Sequence, residues 1–188
     1  MINRLIKRVI HAIENDDSLK DRNGNFIFQE IKEVDDLEGY LDSITKYPAI
    51  GISRGGGEYI SFLPDRRGIH EVDCELGIRV YIKSESSPEA ARSVLDITVW
   101  KVAQALIKNP TLYFAELDPD TYLQDSNVER IVYGSKRLDK VYYEYATILF
   151  DTKRDNFDPV ADNTYYDVLT TMVRTSFTGG NNIVQELS

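Results

Sequence analysis

The sequence predicts an α+β domain, in which a mostly antiparallel sheet is flanked by an N-terminal helix and a long central helix, with a C-terminal extension. The first observation is a strict alternation of apolar residues with other residues between positions 72 and 83. A period of two predicts a strand with one buried face. The buried face is expected to carry Val72, Cys74, Leu76, Ile78, Val80 and Ile82.

The second observation is that this strand leads directly into a capped amphipathic helix. Either Ser87 caps it with Pro88 at the first helical position, or Ser86 caps it with Glu89 three residues later. The helix should end at Asn109, before Pro110. Its apolar stripe spans roughly 120° and is expected to pack on the strand. The stripe comprises Ala91, Val94, Leu95, Thr98, Val102, Ala105 and Leu106.

Residues 2–14 also have helical periodicity, with one apolar face. A basic amphipathic N-terminus is also typical of membrane-binding or transit segments. Acidic residues follow at once, so a helix lying on the sheet is the expected structure. Residues 26–31 predict a short strand or an irregular loop, and residues 37–45 a short helix. The Asp pairs at 16–17 and 35–36 flank helix ends, where capping explains them better than metal binding.

A β-hairpin is predicted just before the long strand. Its strands are residues 48–52 and 59–63, and its tip is Arg54-Gly55-Gly56-Gly57. Three consecutive glycines also suggest a phosphate-binding loop. The spacing of a Gly-x-x-x-x-Gly-Lys-Ser/Thr motif is absent, however, and no helix follows to direct its N-terminus at a phosphate. A flexible hairpin tip is therefore the better interpretation.

After the central helix, residues 111–124 are expected to be irregular. Asp118, Asp120 and Asp125 loosely match a calcium-binding loop, but Leu123 stands where that loop requires glycine. Residues 127–134 predict a strand, residues 134–137 a turn, and residues 138–150 a long strand with two partly apolar faces. The sequence is therefore predicted to consist of a domain, residues 1–151, and a C-terminal extension, residues 152–188. The extension is too small for its own core, so it packs back, reaches a neighbour or stays mobile.

Composition and motifs argue against catalysis and against nucleic-acid recognition. The formal net charge is −9, whereas nucleic-acid grooves need a basic face. Cys74 lies on the apolar face of its strand, and neither His11 nor His70 has metal-ligand spacing to other residues. No apolar run reaches membrane-spanning length, and the N-terminus lacks an uninterrupted signal-peptide core. We therefore expect no enzyme, no metal and no cofactor. The alternative of a different class is a small acidic metal-dependent hydrolase that uses scattered carboxylates.

A positive signal lies on the central helix, opposite its core stripe. Trp100, Ala103 and Ile107 fall within roughly 60° of one another on that face. An exposed tryptophan is costly unless another surface covers it, and tryptophan is enriched in interface hot spots. We therefore predict a subunit interface with Trp100, Ala103 and Ile107, to which Arg54 and Gly56 of the hairpin tip are added. Coverage of the same face by the C-terminal extension remains the alternative.

The order of these segments resembles the tail terminator, or tail completion, proteins of long-tailed bacteriophages. The resemblance covers residues 1–151 and rests on the helical N-terminus, the Ser-Pro-capped helix and three strand segments. The strand segments are Tyr47-Pro48-Ala49-Ile50-Gly51-Ile52, Ile78-Arg79-Val80-Tyr81-Ile82 and Tyr143-Glu144-Tyr145-Ala146-Thr147-Ile148-Leu149-Phe150. The family has no catalytic signature to match.

The resemblance implies a hexameric ring on the last ring of the tail tube, where it stops polymerisation and presents the head-joining surface. The implied partners are copies of itself, the tail tube protein, a head-completion or connector protein and, through the extension, the sheath protein. DNA would pass through such a ring without sequence-specific binding, and no membrane is involved. The implied location is the virion tail or neck, with assembly in the host cytoplasm. Another phage neck or tail-tube ring protein is the alternative within this class.

Overall fold

A computed structural model describes residues 2–62, 70–112, 114, 117 and 125–157, with the backbone alone for residues 2–4, 55–62, 70–73, 125 and 153–157. Two short 3₁₀ turns, Asp17–Leu19 and Leu41–Ser43, supplement the regular elements. The helices and strands, in chain order, are α1 (Ile2–Glu14), β1 (Glu30–Glu33), α2 (Leu37–Tyr40), β2 (Ala49–Phe62), β3 (His70–Ser84), α3 (Pro88–Ile107), β4 (Asp125–Leu138) and β5 (Val141–Phe157).

These strands form one mixed sheet in the order β1-β2-β3-β5-β4. Only the β1–β2 pair is parallel, and the other three pairs are antiparallel. The prediction of an α+β fold with a mostly antiparallel sheet, an N-terminal helix and a long central helix is therefore confirmed. The long alternating segment forms β3, the central strand of the sheet. Both β2 and β5 pair along nearly its whole length.

The main core lies between one face of the sheet and the helices α1 and α3. On β3, every predicted core residue from Cys74 to Ile82 is buried, and the side chain of Val72 lies outside the described part. The core stripe predicted for the central helix is buried, with one exception. Val94 is 48% exposed, because it lies at the margin of the stripe in the second turn of α3, beside a surface groove. On β5, the core-facing set is Ala146, Ile148 and Phe150, which the periodicity alone left open.

The opposite face of the sheet carries a smaller aromatic cluster under α2. Tyr40, Leu41 and Tyr81 are buried there, and Tyr143 and Tyr145 pack beside them. The Tyr81 hydroxyl donates a hydrogen bond to the carbonyl oxygen of Leu37 at 2.6 Å. Burial raises the pKa of Tyr81 further above neutral pH, where a phenol is already protonated and can donate. This hydrogen bond attaches α2 to the centre of the sheet.

The predicted hairpin with its tip at Arg54-Gly55-Gly56-Gly57 is wrong. These residues lie inside β2, which runs without a break from Ala49 to Phe62. The pairing of β2 with β3 changes register between Arg54 and Glu58, which is typical of a β-bulge. The long strand β3 pairs with β2 on both sides of these glycines. The glycines therefore accommodate a β-bulge within one strand and do not reverse the direction of the chain.

The predicted turn at residues 134–137 is also wrong, because the chain reverses at Asp139 and Lys140. Asp139 takes the positive φ of 53° that this tight turn requires. Gly134 pairs with Tyr145 within the sheet, and the Tyr145 ring lies where a side chain at position 134 would stand. The glycine therefore serves a close contact with a ring and does not form a turn.

The sheet also extends beyond the predicted domain boundary at residue 151. Strand β5 continues to Phe157, and its residues 152–157 pair with the beginning of β3. The boundary thus falls inside a strand, and the first six residues of the predicted extension belong to the domain's sheet. Residues 158–188, and most of the segment between α3 and β4, lie outside the described residues.

Candidate subunit interface

Contacts at both ends fix the orientation of α3. At its N-terminus the Ser87 hydroxyl accepts a hydrogen bond from the Ala90 amide at 3.1 Å, and Pro88 occupies the first helical position. Beyond its C-terminus, the Lys108 ammonium lies 2.8 Å from the Asp16 carboxylate at the end of α1. These contacts, together with the buried stripe, determine which side chains α3 presents outward.

The outward face of α3 carries large apolar side chains, which we call the α3 stripe. It consists of Ile97, Trp100 and Ile107, which are 61%, 56% and 58% exposed. Trp100 and Ile107 thus lie where the sequence predicted them. Ile97 was missed, although at 100° per residue it lies only about 60° from Trp100 on the helix. Angular position was the signal that could have identified it.

The prediction that Ala103 shares this face is wrong, because Ala103 is completely buried in the main core. Its position on the helix is about 60° from Trp100, on the side nearer the sheet. A methyl group at this position allows the helix to approach the sheet closely. The core surface of α3 is therefore wider than the predicted stripe of seven residues.

One flank of α3, next to the α3 stripe, faces β5 and the edge strand β4. On this side, the Arg92 guanidinium lies 3.4 Å from the Glu144 carboxylate of β5. Burial, and to a smaller extent the nearby carboxylate of Asp96, raise the pKa of Tyr133 on β4. Tyr133 is 49% exposed and pairs with the core-facing Ala146. Its ring therefore extends the apolar surface of the α3 stripe towards the edge of the sheet.

Arg54 and Gly56 do not join this surface. Both lie on β2, and the strands β3 and β5 separate β2 from β4. The Arg54 guanidinium instead lies 3.4 Å from the Glu33 carboxylate of β1, which is the edge strand opposite β4. The structure therefore brings Trp100 and Ile107 together and separates them from the two residues taken from the supposed hairpin tip.

His11 and Cys74 both pack against other side chains of the domain. Among the residues with described positions, no three His, Cys, Asp or Glu side chains come close enough to hold a metal ion. Cys74 is a buried thiol in the core. His11 packs edge-on against Phe114, with ring centroids 4.5 Å apart. Among the described residues, the feature that calls for a partner is the α3 stripe with Tyr133. The alternative that the C-terminal extension covers this face concerns residues 158–188, which lie outside the described part.

No helix within the described ranges combines the length and the apolar character that crossing a membrane would require. No protein-family model matches the chain, and no curated protein matches it significantly.

Proposed function

We propose that this chain is a structural virion protein that forms a ring at the head-proximal end of a phage tail. In this role it terminates polymerisation of the tail tube and provides the surface that joins the head. The order of sequence segments that resembles tail terminators supports the proposal. The observation that carries it is the α3 stripe, a row of large apolar side chains on a rigid helix.

The size of the exposed surface is appropriate for a contact between subunits. A tryptophan offers about 150–250 Å² to an interface. Because Trp100 is 56% exposed, the area still available corresponds to about 2–3.5 kcal/mol at about 25 cal/mol per Å². Ile97, Ile107 and Tyr133 add to this area. The sum is offset by the entropic cost of association, which a closed ring of many identical contacts overcomes more readily than a single pair.

The ring's partners follow from its place in the virion. One face would contact the last ring of the tail tube protein, and the other would contact a head-completion or connector protein. The C-terminal extension would contact a sheath protein. The net charge of −9 disfavours binding of phosphates, which suits a ring through which DNA passes without being held.

Deletion of the gene from its phage tests this function. We expect tails of irregular length that fail to join heads, and restoration of normal tails by the wild-type chain supplied in trans. Loss of a tube protein would instead abolish tails, and loss of another neck protein would leave unjoined tails of normal length. A metal-dependent hydrolase would leave the tails normal. Tails of normal length, whether joined to heads or not, would therefore refute the proposal.

Point variants connect this function to the α3 stripe. Trp100→Glu should fail to restore tail length and joining, because a charge replaces the central apolar contact. Trp100→Phe is the matched control, since it keeps an aromatic ring at the same position and should restore most of the function. Equal restoration by both variants would show that Trp100 contributes no contact in the virion.

A further inference from the structure

A second apolar surface lies at the beginning of α3, where β2 starts and β3 ends. It is a groove of about 260 Å³ with mainly apolar walls formed by Tyr47, Pro48, Ile82, Ala91 and Val94. Ile82 and Ala91 are nearly buried at its base, whereas Val94 is 48% exposed at its rim. The groove explains why Val94 leaves the core stripe. Its exposed surface belongs to a concave site.

The size and chemistry of this groove suit one large apolar side chain. Small-molecule sites usually enclose roughly 300–1,000 Å³ and contain several convergent polar groups. This groove is smaller, and Lys83 and Ser84 are the main polar residues among its walls. Lys83 forms an exposed ion pair with Glu85 at 2.9 Å, so its charge lies at the rim of the groove.

The groove and Trp100 cannot meet within one molecule. Trp100 follows Val94 by six residues, which places it about 120° around the helix and about 9 Å along it. Trp100 therefore lies on a different side of α3 from the groove, which opens where β2 begins. A contact between two different patches on separate sides of a subunit is head-to-tail, and repetition of such a contact produces a ring when the rotation closes.

We infer that Trp100 of one copy inserts into the groove of the next copy of the same chain. The occupant is an aromatic side chain of appropriate size for a groove whose walls are mostly apolar. Lys83 at the groove rim is paired with Glu85, so the rim carries no excess negative charge that would oppose Asp96, one turn before Trp100. This inference rests on the proposed ring, to which it assigns the two complementary patches.

Mixing two variants of the full chain tests the inference. Trp100→Glu removes the inserted group and keeps the groove, whereas Val94→Arg blocks the groove and keeps the tryptophan. Each variant alone should associate at least about 30-fold more weakly than the wild type in sedimentation velocity. In an equimolar mixture, Trp100 of the Val94→Arg variant can still insert into the intact groove of the Trp100→Glu variant. The mixture should therefore form a one-to-one heterodimer. No larger assembly should form, because the heterodimer has neither a second intact groove nor a second Trp100.

Controls separate loss of the contact from loss of the fold. Asn127→Arg places the same charge on exposed β4 and should associate like the wild type. We expect near-native far-ultraviolet circular dichroism for every variant. If Val94→Arg unfolds, Ala90→Arg takes its place, because Ala90 lies at the exposed end of the same groove.

Four results would overturn the inference. The wild-type chain could stay monomeric at millimolar concentration, or the groove variants could associate like the wild type. The mixture of the two variants could remain monomeric. Finally, Trp100→Glu could unfold, which would place Trp100 inside the domain. None of these results bears on tail length after gene deletion. The proposed function can therefore stand or fall separately.

Discussion

Truncation of Leu76 or Ile78 on β3 should destabilise the domain severely. Both side chains are completely buried on the face of the central strand that meets the helices. Replacing either with alanine removes about three carbon atoms, worth about 0.8 kcal/mol each in transfer free energy. The unfilled cavity adds to this loss, so we expect about 2–5 kcal/mol for each variant. This is a large share of the roughly 5–15 kcal/mol that stabilises a typical domain.

Urea denaturation followed by circular dichroism measures this loss. The midpoint should fall while the slope stays close to that of the wild type, since the folded state keeps its extent. Val132→Ala is the matched control, because the Val132 side chain on the edge strand β4 is already half-exposed. This variant should change the free energy of unfolding by about 0.5 kcal/mol or less. Losses below about 0.5 kcal/mol for both Leu76→Ala and Ile78→Ala would refute the placement of β3 at the centre of the core.

Three further substitutions test individual contacts by the same denaturation assay. Ser87→Ala removes the N-cap of α3 and should cost about 1 kcal/mol, whereas Ser87→Asp should retain most of the stability; equal stability of the two would contradict the cap. Tyr81→Phe leaves the carbonyl of Leu37 without its donor and should cost about 1 kcal/mol; an unchanged midpoint would show that this hydrogen bond does not hold α2. Burial raises the pKa of Asp16, but hydrogen bonds from Lys108 and from the following turn outweigh it and lower the pKa. The ionised carboxylate therefore stabilises the fold above its unfolded pKa of about 3.9, and this contribution disappears as the pH falls through the lower folded pKa. Asp16→Asn should consequently lose less stability than the wild type on acidification below about pH 4, and parallel pH profiles would contradict this assignment.

Periodicity predicted the elements whose burial is one-sided. Strand β3 and helix α3 have a single buried face each, so the spacing of apolar residues and the Ser87-Pro88 cap were sufficient to place both. The turns were harder to predict. Glycine normally signals a turn. Gly56, however, lies inside β2, which pairs with the long strand β3. At position 134 only glycine fits, because the Tyr145 ring of β5 occupies the space of a side chain. Both effects depend on a neighbouring strand that is distant in sequence.

The candidate interface was predicted in part for the same reason. A helical projection places Trp100 and Ile107 opposite the core stripe, and both are exposed. The projection cannot show how closely a helix approaches its sheet, which buries Ala103. It also cannot show the surface groove beside the margin of the core stripe, where Val94 is exposed. Arg54 was assigned to the interface through a turn that does not exist. Its position on β2 follows only from the order of strands.

The proposed function requires that copies of this chain form a ring at the head-proximal end of a phage tail. Electron cryo-microscopy of intact virions that carry a tagged copy of the chain is the decisive measurement. We expect density for six copies of the 21.5 kDa chain in one ring between the tail tube and the head, with the tag on that ring alone. Absence of the chain from purified virions, or its location along the tube or elsewhere in the particle, would refute the proposed function.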